Sequence, residues 1–212
     1  PVEPYLVMEY VAGNTLRLGA RLPPIERAAA RVAFTESSIQ VRDASARFLG
    51  GPLRVIGGTQ RSGVVLSANG TFTVADLGPL LDERWRRAAT GSARYTAAVR
   101  MSREGGVQVA FESSLNGVAV NLPPPLAKSA GEPRLLRVAL VQGEGEGRDR
   151  ISLGYGPMLR AELLRRREGD AMVVDRSAVA FNPPAGGRLR LPARADSTLV
   201  YGTLERLELD RW

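Results

Sequence analysis

Residues 95 to 111 read Tyr95-Thr96-Ala97-Ala98-Val99-Arg100-Met101-Ser102-Arg103-Glu104-Gly105-Gly106-Val107-Gln108-Val109-Ala110-Phe111. Tyr95, Ala97, Val99 and Met101 alternate with smaller or polar residues, and Val107, Val109 and Phe111 repeat the pattern beyond Gly105-Gly106. A two-residue hydrophobic period puts one side-chain set on each face of a strand, and a Gly-Gly step supplies the backbone freedom of a tight turn. The stretch is therefore a hairpin with one apolar face.

The same period recurs at Leu16, Leu18, Ala20 and Leu22; at Val118, Val120 and Leu122; at Leu136, Val138 and Leu140; and at Ile151, Leu153 and Tyr155. Further instances are Leu159, Ala161 and Leu163, then Val179 with Phe181, Leu189 with Leu191, and Leu207 with Leu209. Turn signals at Gly13-Asn14, Gly50-Gly51-Pro52, Gly57-Gly58, Asn69-Gly70, Asn116-Gly117 and Gly186-Gly187 separate many of these runs. The charged segment Gly143-Glu144-Gly145-Glu146-Gly147 reads as an exposed hairpin loop between strands ending near Gln142 and beginning near Arg150. Many short strands with Gly-rich turns make a mainly β, antiparallel, hairpin-rich protein.

One segment has helical spacing. Asp76 is placed to cap it, Leu77, Leu80, Leu81 and Trp85 fall on one face, and Gly91 follows its end near Ala89. This face is expected to plug or cover the sheet. Pro24 to Ala30 reads as a turn or a single helical turn. Strand-like alternation resumes soon after the Pro-rich stretches Leu122–Leu126 and Asn182–Pro184, so residues 1–212 are expected to form one β-rich segment. A division near residue 90 or 145 is the alternative.

Composition removes most chemistry. With no His and no Cys, the usual zinc sites, thiol nucleophiles, disulfides and His-based acid–base mechanisms are absent. A Ser–Lys dyad would have to use Lys128, the only lysine, which lies in a Pro-rich turn. Glycine-rich loops lack the strand–GxxxxGK–helix setting of a phosphate loop. No cofactor or metal is expected, and the chain reads as a non-enzyme. The net charge of +7 comes from 28 Arg and one Lys against 22 acids. Most Arg residues alternate singly with apolar ones, as on a solvated sheet face, so no nucleic-acid partner is expected. No run approaches the roughly 18 apolar residues of a membrane span, and the start, Pro1-Val2-Glu3-Pro4, suggests a piece of a longer protein.

Three motifs resemble a known family. Pro24-Ile25-Glu26-Arg27-Ala28, then Arg47-Phe48-Leu49-Gly50-Gly51-Pro52, then Ser113 to Lys128 occur in the order and at the spacing found in AsmA-like envelope proteins of the YhdP type. In the last motif the matching positions include Leu115, Gly117, Leu122, Pro123, Pro125 and Lys128. The resemblance implies a long curved antiparallel sheet, groove- or taco-like, with one or two short helices. It also implies a periplasmic location, a parent protein anchored in the inner membrane, and phospholipid acyl chains carried along an apolar groove towards the outer membrane. The groove candidates are Val107, Val109, Phe111, Leu136, Val138, Leu140, Ile151, Leu153 and Tyr155. A structural module of the envelope without lipid carriage is the rival expectation. Unpaired strands at the two ends would let the fragment pair edge to edge.

Overall fold

A computed structural model describes residues 7–17, 23–81, 83–143, 147–169 and 171–204. The strands are β1 (Val7–Leu16), β2 (Ile25–Phe34), β3 (Ile39–Phe48), β4 (Gly50–Gln60), β5 (Gly63–Thr73), β6 (Ala89–Ser102), β7 (Val107–Ser113), β8 (Val118–Val120), β9 (Leu136–Gln142), β10 (Arg148–Tyr155), β11 (Leu159–Glu168), β12 (Ala171–Phe181) and β13 (Ser197–Gly202). All but β8 follow one another across a single open, curved sheet; β8 pairs separately with the start of β6. Contacts between strands run almost wholly between sheet neighbours. The accessible surface, 14360 Å² for 22.8 kDa, is about one and a half times the roughly 9600 Å² of a compact monomer of that mass. Among the described residues no large side chain is buried to below 2% exposure. The protein is essentially one layer.

Ladder register explains how alternation becomes a face. Leu66, Val99, Val109, Leu140, Ile151 and Leu163 stand in one row, each opposite the next across β5, β6, β7, β9, β10 and β11. A parallel row runs Ala68, Ala97, Phe111, Val138, Leu153 and Ala161. Residues between these rows point the other way, so one face is mostly apolar and the other carries most of the arginines of these strands.

The core lies at one end of the apolar face. Leu49, Leu53, Phe72, Val74, Ala93, Tyr95, Leu115, Val118, Leu126 and Tyr155 form its buried cluster. Phe72, Tyr95 and Phe111 pack ring to ring, with Tyr95 and Phe111 stacked at 5.1 Å. A lid made by residues 114–135 supplies Leu115, Val118 and Leu126 to this cluster. Its fastening is polar: the Lys128 ammonium, 5% exposed, donates to the carbonyls of Leu115, Val118 and Ser129. Arg134 donates to Pro125 O and Ala127 O, and Tyr155 Oη donates to Leu126 O at 2.9 Å. Three prolines that cannot donate to a ladder follow β8, and these side chains give the lid donors that a regular ladder would have supplied.

Several sequence expectations are corrected here. Pro24 to Ala30 is mostly strand, because Ile25 opens β2; the register shifts beside Arg27, at φ 51°, and the bulge destroys the two-residue period that would have announced a strand. Gly57-Gly58 and Asn69-Gly70 are not hairpin turns but lie inside β4 and β5. At Gly70 the glycine makes room for an aromatic neighbour: a Cβ would come within 2.6 Å of the Tyr95 ring across the ladder. The expected helix breaks in two, a 3₁₀ segment Ala75–Leu80 and α1 (Glu83–Ala88), with Leu81 extended between them. Pro79 has no N–H to continue an α-helical ladder. Asp76 N–H donates to Thr73 Oγ1, and the cap position falls at Val74 rather than Asp76. Leu189 and Leu191 are not strand residues, whereas Leu18, Ala20, Leu22, Leu207 and Leu209 lie outside the described residues.

One pairing departs from the antiparallel pattern. β12 and β13 run parallel, joined by a crossover through residues 182–196 on the polar face. Parallel neighbours need a connection of that length. Arg160 donates to Pro184 O and the Arg190 N–H to Tyr201 Oη, with Ala178 and Ala180 at 0% exposure.

Lys128→Met leaves three carbonyls without their shared donor inside the lid. It is expected to lower the unfolding free energy by about 3 kcal/mol, read from urea denaturation; a loss below about 1 kcal/mol would show that the lid does not depend on this ammonium.

Candidate functional site

The apolar strip beyond the lid is an extended apolar feature that no second layer of the described residues covers. Leu66, Val99, Val109, Leu140, Ile151 and Leu163 are half-buried, shielded by sheet neighbours rather than by a second layer, and none of them packs on the core cluster. At the 4.8 Å spacing of strands this row is roughly 24 Å long. Its margin towards the lid is the row of Phe111, Leu153 and Ala97, which does touch the core.

The opposite margin turns polar over β9, β10 and β11. Val64, Met101, Val107, Gln142, Asp149 and Arg165 form the next row in register. Asp149, 7% exposed, accepts from Arg165 Nε at 2.7 Å and from a second guanidinium nitrogen. A bidentate pair half out of water fixes both side chains and leaves no free charge next to the strip. The apolar strip is thus bounded by a fastened lid on one side and a closed ion pair on the other.

The groove candidates distribute unevenly across this geometry. Val109, Leu140 and Ile151 lie in the uncovered row, and Val138 in the row beside it. Phe111, Leu136 and Leu153 pack on the margin of the core. Val107 sits in the row that carries the ion pair. Tyr155 is a core residue beneath the lid, its ring 5.2 Å from the Arg134 guanidinium carbon. Nothing in the local sequence marks Leu66, whose neighbours alternate poorly, and Val99 and Leu163 read only as strand residues with no tie to the groove; register alone brings them into the row.

The plug residues separate in the same way. Leu77 and Leu81 pack against the core, while Leu80 and Trp85 are 43% and 46% exposed. Breaking the helix at Leu81 rotates the last turn away from the sheet. Of the motif residues, Leu115 and Lys128 are buried in the lid, Leu122 packs on the core, and Gly117 takes the φ of 101° that the turn into β8 requires. Pro123 is buried, and Pro125 offers its carbonyl to Arg134.

Two tyrosines differ by one hydrogen bond. Tyr95 Oη is buried with no partner, and burial pushes its pKa up to about 12. Tyr155 is also raised by burial, partly offset by the charge and hydrogen bond of Arg134. Burial pulls Lys128 below the usual lysine value, opposed by Glu132 and reinforced by Arg134. Ser113 Oγ donates to Arg94 O and accepts from Leu115 N–H, and Lys128 has only carbonyl partners, so the two form no nucleophile–base pair. Among the described residues no cluster of metal-ligating side chains assembles, and no helix is long and apolar enough to cross a membrane.

An open, curved, one-layer β-sheet with one apolar face, an end lid and no assembled reactive centre is the architecture of an elongated AsmA-like module. The chain belongs to the YhdP protein family, whose model matches residues 10–212. This is a family of Gram-negative envelope proteins, in general not enzymes. No curated protein and no solved structure matches the chain.

Tyr95→Phe removes a buried hydroxyl that has no partner and is expected to stabilise the protein by about 1 kcal/mol, whereas Tyr155→Phe loses a hydrogen bond and costs about the same. The Tyr95 proton is held more tightly in the folded state than in the unfolded one. Its contribution is therefore complete below pH 10 and lost as pH rises towards 12. Urea midpoints measured across that range should show the advantage of Tyr95→Phe growing; an advantage independent of pH would contradict the assignment.

Proposed function

We propose that this chain is a non-enzymatic, periplasmic segment of an inner-membrane-anchored protein, sheltering phospholipid acyl chains on the open apolar strip during transport towards the outer membrane. The observation that supports it is the row from Leu66 to Leu163, half-buried yet covered by no second layer among the described residues. Each methylene removed from water contributes about 0.8 kcal/mol, so a tail laid along this row gains enough to hold it without any polar contact. The polar margin at Gln142, Asp149 and Arg165 would keep a headgroup in water while offering no unpaired charge to trap it.

Nothing in such a mechanism requires a covalent step. Binding is graded by apolar area and lacks directional contacts, which suits a cargo that must slide. Selectivity would rest on strip width, set by the lid at one side and the ion pair at the other.

A photo-crosslinking amino acid placed at Leu140 or Ile151, on the apolar face, should capture phospholipid in cells, detected by mass spectrometry of the purified adduct. The same probe at Ala139 or Ser152, on the opposite face of the same strands, should not. Equal labelling at both pairs, or none at either, rejects lipid carriage by this strip.

The outer sides of β1 and β13 are unpaired among the described residues, and Val200 on β13 is 60% exposed. We infer that the fragment pairs with itself through these edges. Light scattering should show mass rising with concentration; a strict monomer throughout would refute edge pairing.

A further inference from the structure

The polar face carries a second feature that the lipid-carrying proposal does not use. Arg54, Asn69, Thr96, Glu112, Arg137, Gly154 and Arg160 form one row in register across β4, β5, β6, β7, β9, β10 and β11. Two hollows lie along it. The first, about 620 Å³, is lined by Arg54, Asn69, Thr71, Arg94 and Thr96 among others. The second, about 570 Å³, opens over Gly154 between Arg137 and Arg160, where a Cβ would meet nothing closer than 4.0 Å. Leu135, 38% exposed, lines both hollows.

Charge along this strip is one-sided. The guanidinium groups of Arg54 and Arg94 are exposed and have no hydrogen-bond or ion-pair partner among the described residues. Glu112 is answered by Arg137 Nε at 2.8 Å, and Glu132 at the second hollow is answered by Arg134. Arg160 also contributes, with one nitrogen on Pro184 O. What is left is a net basic strip with polar side chains on its floor and an apolar residue, Leu135, at its middle, flanked by Pro52 in one hollow and by Pro157 and Met158 in the other. Arginine with scattered apolar residues is the composition of protein interfaces rather than of surfaces that hold a uniform polyanion.

We propose that this strip docks an extended acidic segment of a partner protein, with carboxylates on Arg54 and Arg94 at one end and on Arg160 at the other, and an apolar side chain against Leu135. At strand spacing the row spans roughly 29 Å, the reach of about nine residues of extended chain. Because the strip is on the opposite face from the uncovered row, docking and lipid shelter occupy separate surfaces. Electrostatic complementarity of this kind sets partner choice and association rate.

The probe is a fluorescein-labelled nonapeptide, EDEDLDEDE, titrated by fluorescence anisotropy into the intact chain. Expected are saturable binding that weakens with salt, at least tenfold loss in the double variant Arg54→Glu with Arg94→Glu, and about fivefold loss when the peptide's leucine is replaced by serine. Arg100→Glu, exposed on the same face but outside the strip, should stay within twofold, and circular dichroism should show every variant folded. Loss at Arg100→Glu equal to that of the double variant would reduce the effect to net charge. Absence of peptide binding, or equal competition by an oligothymidylate of the same length, would overturn the proposal.

Discussion

A single sheet satisfies its backbone hydrogen bonds strand by strand, but it can satisfy its apolar face only by finding something to put on it. This protein meets the first demand almost everywhere and the second at one end. Where the lid covers the sheet, Phe72, Tyr95 and Tyr155 are buried to the level of an ordinary core. Beyond Phe111 and Leu153 the same face continues with the same residue types and, among the described residues, no cover of protein. Every functional reading of the molecule follows from that change along one surface.

The lid is where the chain departs furthest from the regular ladder, and its chemistry is correspondingly specific. A leucine, a valine and a buried ammonium do different work there. Leu126 and Val118 supply the apolar cover, whereas Lys128 gathers the carbonyls of Leu115, Val118 and Ser129. A lysine in a Pro-rich turn could have been a nucleophile's partner or a surface charge. Its surroundings make it a fastener, and the carbonyls around it explain why a cation is tolerated out of water.

The sequence was legible where the ladders are regular. From Tyr95 to Leu163 the register hardly shifts, so alternation in the chain maps directly onto the two faces; the hairpin at Gly105-Gly106 falls where its turn residues put it, and β9 pairs with β10, while residues 144–146 between them lie outside the described residues. In β2 and β3 the register shifts beside Arg27 and Asp43, both at positive φ, and each shift erases the period. Gly70 was misleading for a different reason, because its role is set by Tyr95 on the neighbouring strand. Leu66, Val99 and Leu163 show the same limit for the site: which residues join Val109, Leu140 and Ile151 is decided by pairing between strands, which no local pattern contains.

The order of the strands also bears on how the chain reaches this state. Nearly every strand pairs with the one before it, so most ladders close short loops; the helical connection between β5 and β6, the lid insertion and the parallel crossover impose longer ones. Local contacts are cheap in closure entropy and form early. Growth can therefore proceed by templating, each hairpin laid on the last, with the lid as the late step.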